Sequence, residues 1–306
     1  MFAAFYHNWI ILAFLGPLFW TVSDFIDKFV LEKHTVGIWD FLFFFSLFSW
    51  VCLGLLTWVY GVPPLSEQSI FAVLLGFATT ASFYLYARGL MVLDTSQAIL
   101  TFKLVPITVI FLAFALFGDP ILGHEILAAF VVLARAAFLF VSFDAGKFRI
   151  SAGILWMFAA VGSWASIFVF ADKILDQMPF EHYMVFDTFG ASLFAIAVPF
   201  LPKARLEIRR ALRDLGPIKL TWFFANTLTD FIAQVCLKKA FSLSTSAGLV
   251  SIITQVQSIY GIIAGLALTL IFPATFHENI SIRTLMRKLI GTLVMIGGIY
   301  IAFFGI

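Results

Sequence analysis

Charge is what this sequence has least of. Only 12% of its 306 residues are Asp, Glu, Lys or Arg, about half the roughly 25% of a soluble globular domain. That scarcity excludes a water-soluble fold, and the 62% of hydrophobic residues and mean hydropathy of +1.04 agree. Cysteine is nearly absent too. Cys52 and Cys236 both fall inside apolar runs, so neither a disulfide framework nor a cysteine metal site is implied and two free buried thiols are expected. The five histidines (His7, His34, His124, His182 and His277) all lie near the ends of apolar runs or between them. No HExxH, GxGD-like aspartate pair, serine–histidine dyad or glycine-rich phosphate cradle is present, so neither an enzyme nor a bound cofactor is expected. A net charge of +2 offers nothing to nucleic acid. Met1 to Asn8 lacks the basic start of a secretory leader, so the first apolar run is expected to be a spanning helix rather than a cleaved signal.

What is present is a succession of apolar runs of about 20 residues, each long enough to cross a hydrocarbon core. Read between turn signals, they predict an all-α polytopic membrane protein of ten helices, near 9–31, 38–60, 68–91, 95–117, 122–143, 151–175, 181–201, 217–240, 243–272 and 284–305. The breaks "GVPPLSEQS", "FGDPILGHE" and "LPKARLEIRRALRDLGPIK" hold the proline, glycine and charge that the runs avoid. The last of these reads as an ordinary basic loop, with an interfacial amphipathic helix or lipid-phosphate docking site as the alternative.

Ten helices divide into five and five, and the two halves share pairs in the same order. Asp27-Lys28 matches Asp172-Lys173, and Asp40 matches Asp187. Arg88 followed by Leu93, Thr95 and Ser96 matches Lys238 followed by Leu243, Thr245 and Ser246, and His124-Glu125 matches His277-Glu278. The separation grows slowly along the chain, as loops of a duplicated unit would make it. The expected units are residues 1–148 and 149–306, together forming one membrane domain. An odd number of helices per unit inserts the second copy upside down. Such inverted repeats are a recurring build of secondary transporters, with the substrate site near the midplane between the halves.

Further residues carry a family likeness. Trp20 and Trp164 stand early in the first helix of each half, and "LDTSQAILTFKLVPITVIFLAFALFG" holds Pro106. Glutamates follow in "ILGHE" and "TFHE", and the chain closes with "LIGTLVMIGGIYIAF". In these features the sequence resembles the drug/metabolite transporter superfamily, specifically the ten-helix EamA-type permeases, over nearly all its length. The resemblance implies a central cavity lined by helices 1, 3, 4, 6, 8 and 9, no ATP-binding part, and residence in a bacterial or archaeal inner membrane. Arg135 departs from the small residues usual in helix 5. It is left either as a partner for a neighbouring helix or as part of a homodimer face.

Loop charge gives an orientation. Connections after helices 1, 3, 5, 7 and 9 hold most of the Lys and Arg, whereas the other side holds only Lys173, Lys238 and Lys239. The positive-inside bias then places both termini outside, against the family's usual arrangement.

Ionisable groups within spans are costly and usually face a cavity or a partner. Asp27, Lys28, Asp172 and Lys173 lie near helix ends, where they either anchor to headgroups or gate the two mouths. Asp24 lies about a turn deeper than Asp27, and neither Asp24 nor Asp230 has an acidic twin. Asn226, Asp230 and Gln234 share one face of helix 8, as Thr80, Tyr84 and Arg88 do on helix 3. Gln255 belongs to a polar stripe on helix 9, which reads either as lining or as interhelical hydrogen-bond glue. The expected substrate site joins Asp24, Asp230, Lys103, Asn226, Gln234 and Gln255 with Trp20, Tyr84, Trp164 and Tyr260. Acids would take the amine of a zwitterion, the lysine its carboxylate, and the aromatics an apolar body. A buried aspartate could also carry a coupling proton. The expected function is alternating-access transport of a small amino-acid-like or amphipathic metabolite. A lipid-linked flippase or a cation carrier of the same superfamily is the alternative, and an enzyme is not expected. Expected partners are the small solute and membrane lipids.

Overall fold

The computed structural model describes residues 7–91, 101, 102, 104–120 and 152–271, with scattered positions within 123–131 and 286–301. Every regular element among the described residues is helical. In chain order they are α1 (Trp9–Lys33), α2 (Ile38–Tyr60), α3 (Glu67–Leu90), α4 (Val105–Phe117), α5 (Ala152–Leu175), α6 (Phe180–Ala197), α7 (Pro202–Arg213), α8 (Pro217–Leu243), α9 (Ala247–Ile253) and α10 (Gln257–Ile271).

Local chemistry sets the boundaries. The Asn8 side chain accepts from the amides of Ile10 (3.1 Å) and Ile11 (3.3 Å), which opens α1. Ser66 does the same for α3 through the Ser69 amide (3.3 Å). Gly61 and Gly118, at φ 78° and 71°, close α2 and α4 in a backbone region that side chains disfavour. Pro199 sits in the 3₁₀ turn Val198–Phe200 that ends the α6 span, and Pro217 opens α8.

Among the described residues, six helical segments are long and apolar enough to cross a membrane: Trp9–Leu31, Ile38–Tyr60, Glu67–Gly89, Leu155–Leu175, Phe180–Phe200 and Ala247–Ala267. The chain is an integral membrane protein. The longest described helix, α8, is not among them, because Asn226, Asp230, Gln234, Lys238 and Lys239 thin its apolar character. All five are buried, so α8 sits inside the bundle.

The dominant packing joins elements from before residue 148 to elements after it: α1 with α8, α2 and α3 with α6, α3 and α4 with α5. Tyr183, Phe168 and Phe241 sit in one core cluster with Leu12, Val109 and Trp164. At the α3–α6 crossing, Gly76 and Gly190 let the backbones touch. A Cβ on Gly76 would fall on the Asp187 carbonyl, and one on Gly190 on the Val73 carbonyl.

Three expectations change. The run at 243–272 is not one helix: α9, a 3₁₀ turn at Thr254–Val256 and α10 divide it. Side-chain bonds to backbone accompany the break, with Thr254 (2.7 Å) and Gln255 (3.4 Å) both donating to the Ser251 carbonyl. The basic connection after α6 is a helix, α7, which favours the helical alternative over the ordinary loop. Its Ala204, Ile208 and Ala211 bury against Ile38, Phe41, Phe44 and Phe223. The helix 8 run extends past 240 to Leu243. The runs at 122–143 and 284–305, with the His-Glu matches and Arg135, lie largely or wholly outside the described residues.

Candidate functional site

The site grows out of the seam between α1 and α8, which run antiparallel. Near one end Gly16 faces the Ala233 carbonyl and Leu237. At the middle the Trp20 Nε1 donates to Asp230 Oδ1 at 3.0 Å. A turn further along α1, Ser23 donates to Asn226 Oδ1 at 3.0 Å, and the Asn226 amide donates to Asp27 Oδ1 at 2.5 Å. Asn226 is fully buried and uses both faces of its amide, so it holds α1 and α8 in register. Asp24 points elsewhere. It is exposed, and the Gln257 amide donates to its Oδ2 at 2.8 Å, tying α1 to α10.

Aromatic rings wall the middle of this seam. Trp20 meets Trp164 edge-on at 6.1 Å and stacks on Phe168 at 6.3 Å. Trp164 also meets Phe83 at 5.3 Å and Phe102 at 6.3 Å. Trp20 and Trp164, paired from sequence alone, thus share one cluster. Trp164 differs from Trp20 in one respect: its Nε1 is buried with no partner among the described residues. Thr80 Oγ1, Ser251 Oγ and Gln255 Oε1 are in the same condition. An unpaired buried polar atom costs about 1–3 kcal/mol.

Other expected residues divide. Gln234 is buried one turn from Asp230. Tyr84 lies away from the tryptophans, stacked on Trp39 at 4.4 Å, with the Arg88 guanidinium over its ring at 5.7 Å. Tyr260 packs in a separate small cluster with Ile110, Ile252 and Val256. Lys103 and the Lys28 side chain lie outside the described residues. Among those residues, no group of three His, Cys, Asp or Glu could hold a metal.

The ends of the bundle hold an arrangement that the sequence reading did not anticipate. Lys238 near the end of α8 makes an ion pair with Asp187 of α6, both buried, and the Tyr183 hydroxyl donates to Asp187 Oδ1 at 3.2 Å. On the same face Lys173 bridges to Asp119 at 2.8 Å, with Asp172 at 3.8 Å. The residues matched to them in the sequence, Asp40 and Arg88, are not so paired. Asp40 accepts from the amides of Val36 (2.9 Å) and Gly37 (2.8 Å) at the start of α2. Arg88 lies over the rings of Tyr84 and Trp156, with no carboxylate among the described residues within ion-pair distance. The matches Asp40/Asp187 and Arg88/Lys238 were the available signal; that their members pair was not legible.

A bundle of apolar helices enclosing a polar, aromatic-lined seam defines a polytopic membrane protein. Comparison with known proteins sharpens this: residues 7–141 match the model of the EamA-like transporter family. Over those residues the match agrees with the likeness to the drug/metabolite transporter superfamily. No curated protein matches. A solved crystal structure shares the fold at a TM-score of 0.61 and 16% identity, covering 96% of this chain and 95% of that one.

Proposed function

We propose that the chain is a secondary transporter that moves a small amino-acid-like or amphipathic metabolite by alternating access. The two moving units are inverted five-helix repeats, residues 1–148 and 149–306, in a bacterial or archaeal inner membrane. One observation carries the reading: equivalent charged pairs at the two ends of the bundle are in different states. Antiparallel packing of α1 on α8 puts Lys238–Asp187 and Asp40/Arg88 at opposite faces. Two copies of one unit in exchanged conformations would differ in this way. The end with Lys238–Asp187 is latched; the end with Asp40 and Arg88 is not. In the opposite state the roles reverse. Trp39, beside Asp40, already stacks on Tyr84, one turn from Arg88. Asp27, Lys28, Asp172 and Lys173 flank the two mouths as secondary gates.

The substrate site is the Trp20–Asp230 seam. Asp230 and Asp24 take the solute's ammonium group and provide a place for a coupling proton, while Trp20 and Trp164 face its apolar body. Asn226, Gln234 and Gln255 supply neutral hydrogen bonds, and Lys103 takes a carboxylate. Tyr84 and Tyr260 act at the margins.

Two experiments test this. In proteoliposomes, Asp230→Asn and Asp24→Asn are expected to reduce solute uptake at least about tenfold, the effect of losing roughly one charged hydrogen bond, and to flatten its pH dependence. Unchanged transport and pH profile in both variants rejects the site. Hydrogen exchange on the full chain tests the latch. Lys238→Met should speed exchange around residues 172–187 and slow it around 34–45, and Arg88→Met should do the reverse. Shifts in the same direction reject alternation. Melting shifts with amino acids, lipid headgroups or metal cations separate a metabolite carrier from a flippase or a cation carrier.

A further inference from the structure

α7 raises a question the transport reading leaves unanswered: why does a chain so poor in charge spend five basic residues on one twelve-residue helix? Lys203, Arg205, Arg209, Arg210 and Arg213 are all exposed. The one acid of the helix, Glu207, is turned away from them. Its Oε2 accepts the Trp39 amide at 3.1 Å, and it lies so close to Gly37 that a Cβ there would strike its carboxylate. The exposed bases therefore have no acidic neighbour within their own helix.

Position matters as much as charge. α7 follows the spanning segment Phe180–Phe200 by one residue, and α8 begins at Pro217, so the chain holds α7 at the face of the bundle from both ends. Ala204, Ile208 and Ala211 seat its apolar side on α2 and α8, and the Lys219 Nζ donates to the Ala211 carbonyl at 3.5 Å in its last turn. Leu206 and Leu212, 58% and 46% exposed, remain apolar on the outer side among the bases, as do Phe200 and Leu201 just before it. Bases mixed with leucine along a helix lying at the membrane face match a surface of acyl chain and phosphate.

We propose that the outer face of α7 is a docking surface for anionic phospholipid headgroups, phosphatidylglycerol being the probe. The arginines take the phosphate, and Leu206 and Leu212 enter the acyl boundary. Each base near an anionic surface contributes roughly a severalfold gain in affinity.

The test uses the full chain in detergent and reads melting with added phosphatidylglycerol, phosphatidylcholine or inorganic phosphate. Phosphatidylglycerol is expected to raise the melting point more than phosphatidylcholine, in a salt-sensitive manner. The combined variant Lys203→Gln, Arg209→Gln, Arg210→Gln and Arg213→Gln, which leaves the buried face intact, should bind phosphatidylglycerol at least about tenfold more weakly. Should that variant not fold, the pair Arg209→Gln and Arg210→Gln is read instead, with a severalfold loss expected. Equal shifts with the two lipids, an undiminished shift in the variants, or an equal shift with inorganic phosphate each overturns the proposal. None of these readouts depends on transport.

Discussion

The α1–α8 seam and the α3–α5 seam each join an element from before residue 148 to one after it, yet they are held together differently. Along α1–α8, polar groups meet polar groups: Trp20 with Asp230, and Ser23 and Asp27 with Asn226. Along α3–α5 the contacts are small or aromatic. Ser82 and Ser163 meet at 2.5 Å, Gly89 makes room for Met157, and Phe83 meets Trp164. Where the first seam places Asp230, the second places Thr80, whose hydroxyl is unpartnered among the described residues, as is the Trp164 Nε1. The first seam is thus held by hydrogen bonds to carboxylate and amide groups, whereas the second adds one serine–serine hydrogen bond to a small-residue and aromatic fit.

This contrast can be broken in order of force. Asn226→Leu should have the largest effect, because it removes two interhelical bonds and leaves the Asp27 carboxylate without its donor. A loss of about 2–4 kcal/mol is expected in reversible unfolding in detergent. Trp20→Phe keeps an aromatic ring but takes from Asp230 the interhelical donor that it has among the described residues, for about 1–2 kcal/mol. The matched change Trp164→Phe removes an N–H that bonds to nothing described, and should cost less than Trp20→Phe by about 1 kcal/mol. Equal costs would mean that the seams are equivalent after all. Thr80→Val is the smallest and of opposite sign. Deleting an unpartnered buried hydroxyl without changing shape should stabilise by up to about 1 kcal/mol, measured in the same unfolding experiment.

Helix positions were legible where a long apolar run ends in a strong stop, as "GVPP" ends α2 and Gly118 ends α4. They were not legible where polar side chains compete with the ladder inside an apolar run, which is how the break at Thr254–Val256 escapes notice. α7 was misread for a different reason. Its apolar side consists only of Ala204, Ile208 and Ala211, too slight a stripe to stand out among five bases. At the site, composition pointed to Asp230 and the two tryptophans because buried charge and paired aromatics are rare in such a chain. What sequence could not give is partnership. Asp27 reads as an end-of-helix anchor until Asn226 is seen against it. Asp187 and Lys238 read as repeat markers until they meet.

The glycine crossing of α3 and α6 has a mechanical meaning. With the backbones in contact at Gly76 and Gly190, these helices have no cushion of side chains across which to slide. Relative movement there is confined to rotation about the contact, like a beam on a fulcrum. Spreading the two helices at one membrane face brings them together at the other. A single point of backbone contact therefore forbids both faces from widening at once through this pair.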